Sequence, residues 1–173
     1  MISVSRSSTT IDDDFRTSLR VLHVRRAEHL LFNFYDFNFF RRSAGGSYLF
    51  FGSSKHLAPL IAVPYVLACE IVFFRGRRFF VKLKGHVAGV FIVGGRAESL
   101  YISSLAVAPE YRRLGLGMFI LRFAERLAVK ARKKWLELSV LKANSPARRL
   151  YEKAGFSVFK ERKRSLMLRK RVV

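Results

Sequence analysis

The stretch Val107-Ala108-Pro109-Glu110-Tyr111-Arg112-Arg113-Leu114-Gly115-Leu116-Gly117 concentrates residues that could bind a phosphate. Pro109 stops an alternating apolar run, and after Gly117 apolar residues recur at helical spacing, so the stretch leads from a strand into a helix. A helix N-terminus offers amides without intrahelical acceptors and the positive end of the helix dipole. Gly115 and Gly117 let a phosphate approach that backbone closely, and Arg112 and Arg113 add two cations. These residue types suit a pyrophosphate cradle. The pattern is not a P-loop, which needs Gly-Lys-Ser/Thr, and it is not Gly-x-Gly-x-x-Gly.

The elements that must position this loop are legible from periodicity. Period-two patterns over Phe79 to Lys84, His86 to Val93 and Leu100 to Val107, separated by Gly85 and by Gly94-Gly95, predict three successive antiparallel strands. Ile120, Phe123, Ala124, Leu127 and Ala131 then recur at helical spacing, with Arg122, Arg126, Lys130 and Lys133 on the other side. Trp135 to Leu141 reads as a strand. Ser145-Pro146 reads as a helix start, because proline has no N–H to lose there, and Gly155 as the helix end. Phe156 to Phe159 and Leu166 to Leu168 close the chain as strands joined by the charged stretch Lys160 to Arg164. Upstream, Leu19 to Val24 could be a strand. The aromatic-rich stretch Ala27 to Arg42 suits a helix burying more than one face, and Ser43 to Ser47 a loop. The expected architecture is α+β: one domain over residues 1–173, with a central mixed, mostly antiparallel twisted sheet flanked by helices on both faces. Within it, residues 1–18 form a mobile lead, 19–75 a variable strand and helices, and 76–173 the core.

Composition narrows the function classes. The 173 residues are half apolar, enough for a packed core, yet carry a formal charge of +21. That charge is uneven: residues 76–173 hold 24 Lys and Arg against 6 Asp and Glu. Such a field attracts polyanions and leaves nucleic acid open as a partner of the C-terminal part. A solvated basic surface is as good an explanation, and no stacked-aromatic signature interleaves the basic residues of the C-terminal strands. Cys69 is the only cysteine, and His23, His29, His56 and His86 are scattered, so no disulfide framework and no metal site is expected. A reducing cytoplasm fits. The apolar run over residues 56–74 approaches the length of a membrane span, but Pro59, Pro64 and Glu70 argue for a buried helix leading into a core strand.

Arg112-x-x-Gly115-x-Gly117, preceded by Ser104-Leu105-Ala106-Val107 and followed by Asn144-x-x-Ala147-x-x-Leu150-Tyr151-Glu152-Lys153-Ala154-Gly155-Phe156, resembles the GNAT superfamily of acetyl-CoA-dependent N-acyltransferases. Within that superfamily the motifs look most like those of protein N-terminal acetyltransferases of the ribosomal-protein type. The resemblance extends from about Phe79 to Leu168, and residues 1–75 share only the general outline. It implies acetyl-CoA as co-substrate and no metal. The backbone of Leu105, Ala106 and Val107 would hold the pantetheine arm, and Arg112, Arg113, Leu114, Gly115, Leu116 and Gly117 the pyrophosphate. Asn144, with Ala147 following in the same motif, would sit beside the pantetheine. Tyr151 would protonate the leaving thiolate. The implied chemistry is direct attack of a neutral amine on the thioester.

The sequence departs from the family over the general base. Many relatives carry a glutamate where Ser103 stands, and ribosomal-protein acetylating relatives can use one where Ser139 stands; neither position is acidic here. Glu137, on the same strand face as Ser139 but about 6–7 Å away, is the expected base, acting through water. Glu98, Glu70, His86 and Tyr101 are weaker candidates. The connection Lys160 to Ser165 is short and has no tyrosine to grip a peptide N-terminus. The acceptor is therefore an amine, expected on a protein N-terminus or lysine, with small amines and polyamines also in play. A non-catalytic basic nucleic-acid or ribosome-associated protein is the rival reading, and the oligomeric state is open.

Overall fold

The computed structural model describes residues 18–25, 28 and 76–172. The expected lead, the helix over 27–42, the loop over 43–47 and the apolar run over 56–74 lie outside the described residues. Seven strands form one sheet: β1 (Leu19–His23), β2 (Arg77–Leu83), β3 (His86–Gly95), β4 (Ser99–Val107), β5 (Trp135–Leu141), β6 (Ser157–Glu161) and β7 (Ser165–Arg171). Their order in space is β1-β2-β3-β4-β5-β7-β6. All neighbours are antiparallel except β4 and β5. A parallel pair needs a crossover, and α1 (Leu116–Lys130) supplies it. The second helix, α2 (Ser145–Lys153), joins β5 to β6.

Alternation along the strands sorts side chains to two faces. Phe79, Phe91, Ile102, Leu138 and Leu168 enter one core together with Leu116, Ile120 and Ala124 of α1 and Tyr151 of α2. The rings of Phe79 and Phe91 stack at 4.7 Å, and Phe123 of α1 meets both edge-on at 5.9 Å. Val24, Phe80, Val90, Ile92 and Ala106 form a second buried cluster on the other face. Both described helices therefore cover the first face. No described helix is long and apolar enough to cross a membrane.

The strands match the expected alternation closely, while the ends of the elements differ for local reasons. α1 stops at Lys130, and Arg132 turns to φ 53°, so Ala131 and Lys133 leave the helical stripe while Leu121 joins the buried face. Lys133 instead ties the two ends of the sheet's loops together, donating to the carbonyls of Arg96 (2.7 Å) and Ala97 (3.0 Å). The cap of α2 is Asn144 rather than Ser145, because its Oδ1 accepts from the amide of Ala147 at 3.3 Å. The β6–β7 connection shrinks to Arg162–Arg164, closed by the Arg162 amide donating to the Ser165 carbonyl at 2.8 Å.

Close packing of α1 on the sheet depends on Gly89. A Cβ there would stand 3.1 Å from the carbonyl oxygen of Ala106 and 3.5 Å from Cδ1 of Ile120. Gly89→Val should destabilise the fold by about 1–3 kcal/mol. Urea unfolding would register this as a lower midpoint at unchanged slope, and an unchanged midpoint would show that the contact can relax.

Candidate functional site

The parallel ladder between β4 and β5 contains only four pairs, from Ser99↔Trp135 to Ile102↔Leu138. Beyond them β4 remains paired with β3 and β5 with β7, so the two strands part and leave a slot between them. The cause is visible in β4, where the register to β3 slips between Ser104 and Ile102 and leaves Ser103 as the extra residue of a bulge. A bulge bends and twists its strand. Ser103, where the family resemblance suggested a base, therefore stands where the strands begin to part.

The slot is lined by main chain. The Ala108 amide donates to the Ala88 carbonyl of β3 at 2.9 Å. Backbone direction alternates along a strand, so Ala106 also faces β3, whereas the amide and carbonyl groups of Leu105 and Val107 face the slot. Arg112 reaches back to the same edge, its Nε donating to the Val107 carbonyl at 3.1 Å. Ala106 itself is buried in the second cluster.

At the end of the slot the chain makes a single 3-10 turn (Pro109–Tyr111) and enters α1 through residues in unusual backbone geometry. Arg113 has φ 62° and Gly115 φ 80°. The left-handed conformation costs glycine nothing extra, and nothing lies within 4 Å of where a Gly115 Cβ would stand. Among the described residues, the amides of Gly115, Leu116, Gly117 and Met118 donate to no backbone carbonyl. Arg112, Arg113 and Leu114 are exposed, while Leu116 anchors the turn in the core. The site thus offers converging N–H groups, a helix dipole and two guanidinium groups to an anion.

Gly117 also sits at a contact between the helices. A Cβ there would stand 2.8 Å from Cδ2 of Leu150, so this glycine lets α1 and α2 touch. Beside that contact, a hollow of about 210 Å³ opens between the helices, bounded by Met118, Arg122, Lys153 and Lys170. Glu125 shares it and pairs with Lys170 at 2.7 Å.

Tyr151 is fixed by the way α2 ends. The Phe156 amide donates to the Tyr151 carbonyl and the Gly155 amide to the Glu152 carbonyl, each at 3.0 Å. Gly155 supplies φ 86°, completing a Schellman motif. The accompanying apolar contact is between the Tyr151 and Phe156 rings, 6.0 Å apart. Tyr151 is 8% exposed, and burial pushes its hydroxyl up to about 12. It therefore stays protonated at any working pH.

Loop 112–117, the slot edge at Leu105 and Val107, and the two helix ends that carry Asn144, Ala147 and Tyr151 surround one side of the sheet. Glu137 stands apart from them. It pairs with Tyr101 in the ladder before the strands part, and its Oε2 accepts from Ser99 Oγ (3.2 Å) and Arg96 Nη1 (3.4 Å). The carboxylate leans away from the slot and toward the loop that holds Arg96. The Arg96 guanidinium also lies 3.8 Å over the Tyr101 ring. Sequence reasoning missed this assembly because Arg96 and Glu137 are 41 residues apart and neither belongs to a local motif. No cluster of metal-ligating side chains occurs among the described residues.

A profile of the Acetyltransferase (GNAT) family matches residues 54–156. Among curated proteins, the catalytic subunit NAA20 of the N-terminal acetyltransferase B complex of Arabidopsis thaliana is 30% identical over 82 residues, 46% of either chain. The chain spans about half the length of the curated relatives it matches. Two solved structures share the fold along nearly their whole length. The PaiA N-acetyltransferase of Thermoplasma acidophilum, in complex with coenzyme A, has a TM-score of 0.70 at 15% identity and covers 89% of this chain and 99% of its own. The ribosomal-protein-S18-alanine N-acetyltransferase of Escherichia coli has a TM-score of 0.63 at 19% identity and covers 89% and 94%. With a strand slot ending at a helix N-terminus and a family match over more than half its length, the chain belongs to the GNAT family of acetyltransferases.

Proposed function

We propose that this chain transfers an acetyl group from acetyl-CoA to a primary amine on a protein, either an N-terminus or a lysine. The observation that carries the reading is the slot between β4 and β5 leading to loop 112–117, whose amides at the entry of α1 donate to no backbone carbonyl among the described residues. A narrow passage edged by Leu105 and Val107 suits a thin, hydrogen-bonding arm such as pantetheine. The open αL turn at Gly115 with Arg112 and Arg113 suits a pyrophosphate. Arg122 and Lys153 in the neighbouring hollow would favour the remaining negative charge. The residues therefore fit acetyl-CoA, which supplies an acetyl group already activated as a thioester.

This chain's own residues contribute position and one proton. Hydrogen bonds from the slot edge would align the thioester with an amine entering from the other side of the sheet. The amine nitrogen forms a bond to the carbonyl carbon, the carbon–sulfur bond breaks, and the Tyr151 hydroxyl gives its proton to the departing sulfur. Asn144, already capping α2 with its Oδ1, keeps its amide N–H groups for the arm. The amine loses its proton to water. Glu137, engaged by Arg96 and Ser99, serves the reaction by holding the start of the β4–β5 ladder. A protein acceptor is favoured over a polyamine because a chain of formal charge +21 repels polycations.

Three variants test the reading. Gly115→Val should weaken acetyl-CoA binding at least ~10-fold by calorimetry, because a β-branched residue resists φ 80° and obstructs the cradle. Retained affinity would remove the cradle from the site. Tyr151→Phe should lower kcat by about 10²-fold with little change in the KM for acetyl-CoA, within the range for a lost general acid. Tyr151 also has a pH signature: its raised value favours the neutral form in the folded state. The stability it contributes is present below about pH 10 and is lost as pH rises toward 12, by up to about 3 kcal/mol. The Phe variant should lack that alkaline loss in pH-dependent melting. Glu137→Gln should keep kcat/KM within about threefold at every pH. Loss of the acidic limb of its pH profile would instead make Glu137 the base.

A further inference from the structure

Acetyl transfer leaves one surface unexplained. On β5 and β7 the side chains of Leu136, Leu138 and Leu168 enter the core under α1 and α2, so Trp135, Glu137 and Arg169 stand on the opposite face. There the Arg169 guanidinium lies 4.3 Å from the Trp135 ring centre and 4.9 Å from that of Phe159. Phe159 belongs to β6, the sheet's edge strand, which is exposed at every position. The register of β6 to β7 slips between Val158 and Lys160, and this bulge leaves Phe159 out of the ladder, turned to Arg169 and 38% exposed. The Lys134 ammonium lies 6.0 Å from the Trp135 ring. Arg96 over Tyr101 repeats the arrangement on β4, the strand next to β5.

Planar cations held against aromatic rings on one face of a sheet are suited to one class of ligand. Rings and guanidinium planes stack with nucleobases, and the surrounding cations neutralise phosphates. An acidic peptide would use the cations and leave the rings idle. An anionic membrane calls for apolar groups on a projecting element, whereas these rings sit on sheet strands against a guanidinium. A duplex keeps its base faces covered. The charge is complementary as well, since residues 76–173 hold 24 Lys and Arg against 6 Asp and Glu.

We propose that the outer face of β5, β7 and β6 binds a single-stranded nucleic acid, with bases stacked on Phe159 and Trp135 and phosphates paired with Arg169 and Lys134. This surface lies toward the C-terminal end of α1. The helix has 15 residues and is about 22 Å long, which separates the surface from loop 112–117. Both ligands can then bind together.

Trp135 is the only tryptophan, so its emission reports directly on this surface. The experiment titrates the full chain with oligouridylate and oligothymidylate of about 20 nucleotides, enough for one groove, in low and physiological salt. The expected result is saturable quenching that weakens with salt, and the tighter oligomer identifies RNA or DNA as the source. Phe159→Ala should weaken binding about 5- to 100-fold through lost stacking. Arg169→Gln should weaken it by about tenfold, with Arg169→Lys intermediate. Arg126→Gln, which removes one charge from the helical side, should change it less than about twofold. Saturating acetyl-CoA should leave the affinity unchanged, and the quenching should persist even if acetyl-CoA does not bind, so the two readings fail separately. Equal losses from Arg126→Gln and Arg169→Gln would overturn the proposal in favour of net charge alone. Equal quenching by polyglutamate, by phosphatidylserine vesicles or by a duplex of the same length would also overturn it.

Discussion

The structure depends on two parallel strands that stay together for four residue pairs and then separate. Hydrogen bonding normally penalises such a parting, since each released amide and carbonyl needs a partner. Here the sheet limits the loss by keeping each strand paired on its outer side, β4 to β3 and β5 to β7. The bulge at Ser103 starts the divergence. Everything assigned to the site follows from it: the exposed edge at Leu105 and Val107, the helix terminus at the end of that edge, and α2 entering beside it.

The helices show how local chain chemistry sets the position of distant groups. α1 enters through a left-handed glycine and leaves its first-turn amides pointing outward. α2 ends through another left-handed glycine, and that ending holds Tyr151 between the core and Phe156. Gly117 completes the arrangement by allowing Leu150 to approach α1. The three glycines serve three different purposes: an open cradle, a helix stop and a helix contact.

Much of this was legible in the sequence because it is local. Alternation in Phe79 to Lys84 and Leu100 to Val107, the glycine loop before α1 and the motif from Asn144 to Phe156 each depend on neighbours within about two turns of chain. The bulge at Ser103 was not legible, because register is decided between strands rather than along one. The tether from Arg96 to Glu137 was hidden for the same reason. Trp135, Arg169 and Phe159 lie on three strands, so the scattered aromatics of the basic C-terminal part become one surface only after β7 inserts between β5 and β6.

The slot's edge is made of peptide groups rather than side chains, and this bears on how the protein can drift. A peptide group is the same whatever residue carries it, so substitutions along β4 that preserve an extended backbone leave the edge chemically unchanged. Selection on such a passage acts on register, bulge and strand ends, and individual letters are free to turn over. Identities of 15% and 19% beside TM-scores of 0.70 and 0.63 accord with that freedom. Homologues of this chain should accordingly vary widely at positions 105 and 107 while retaining the extra residue at 103.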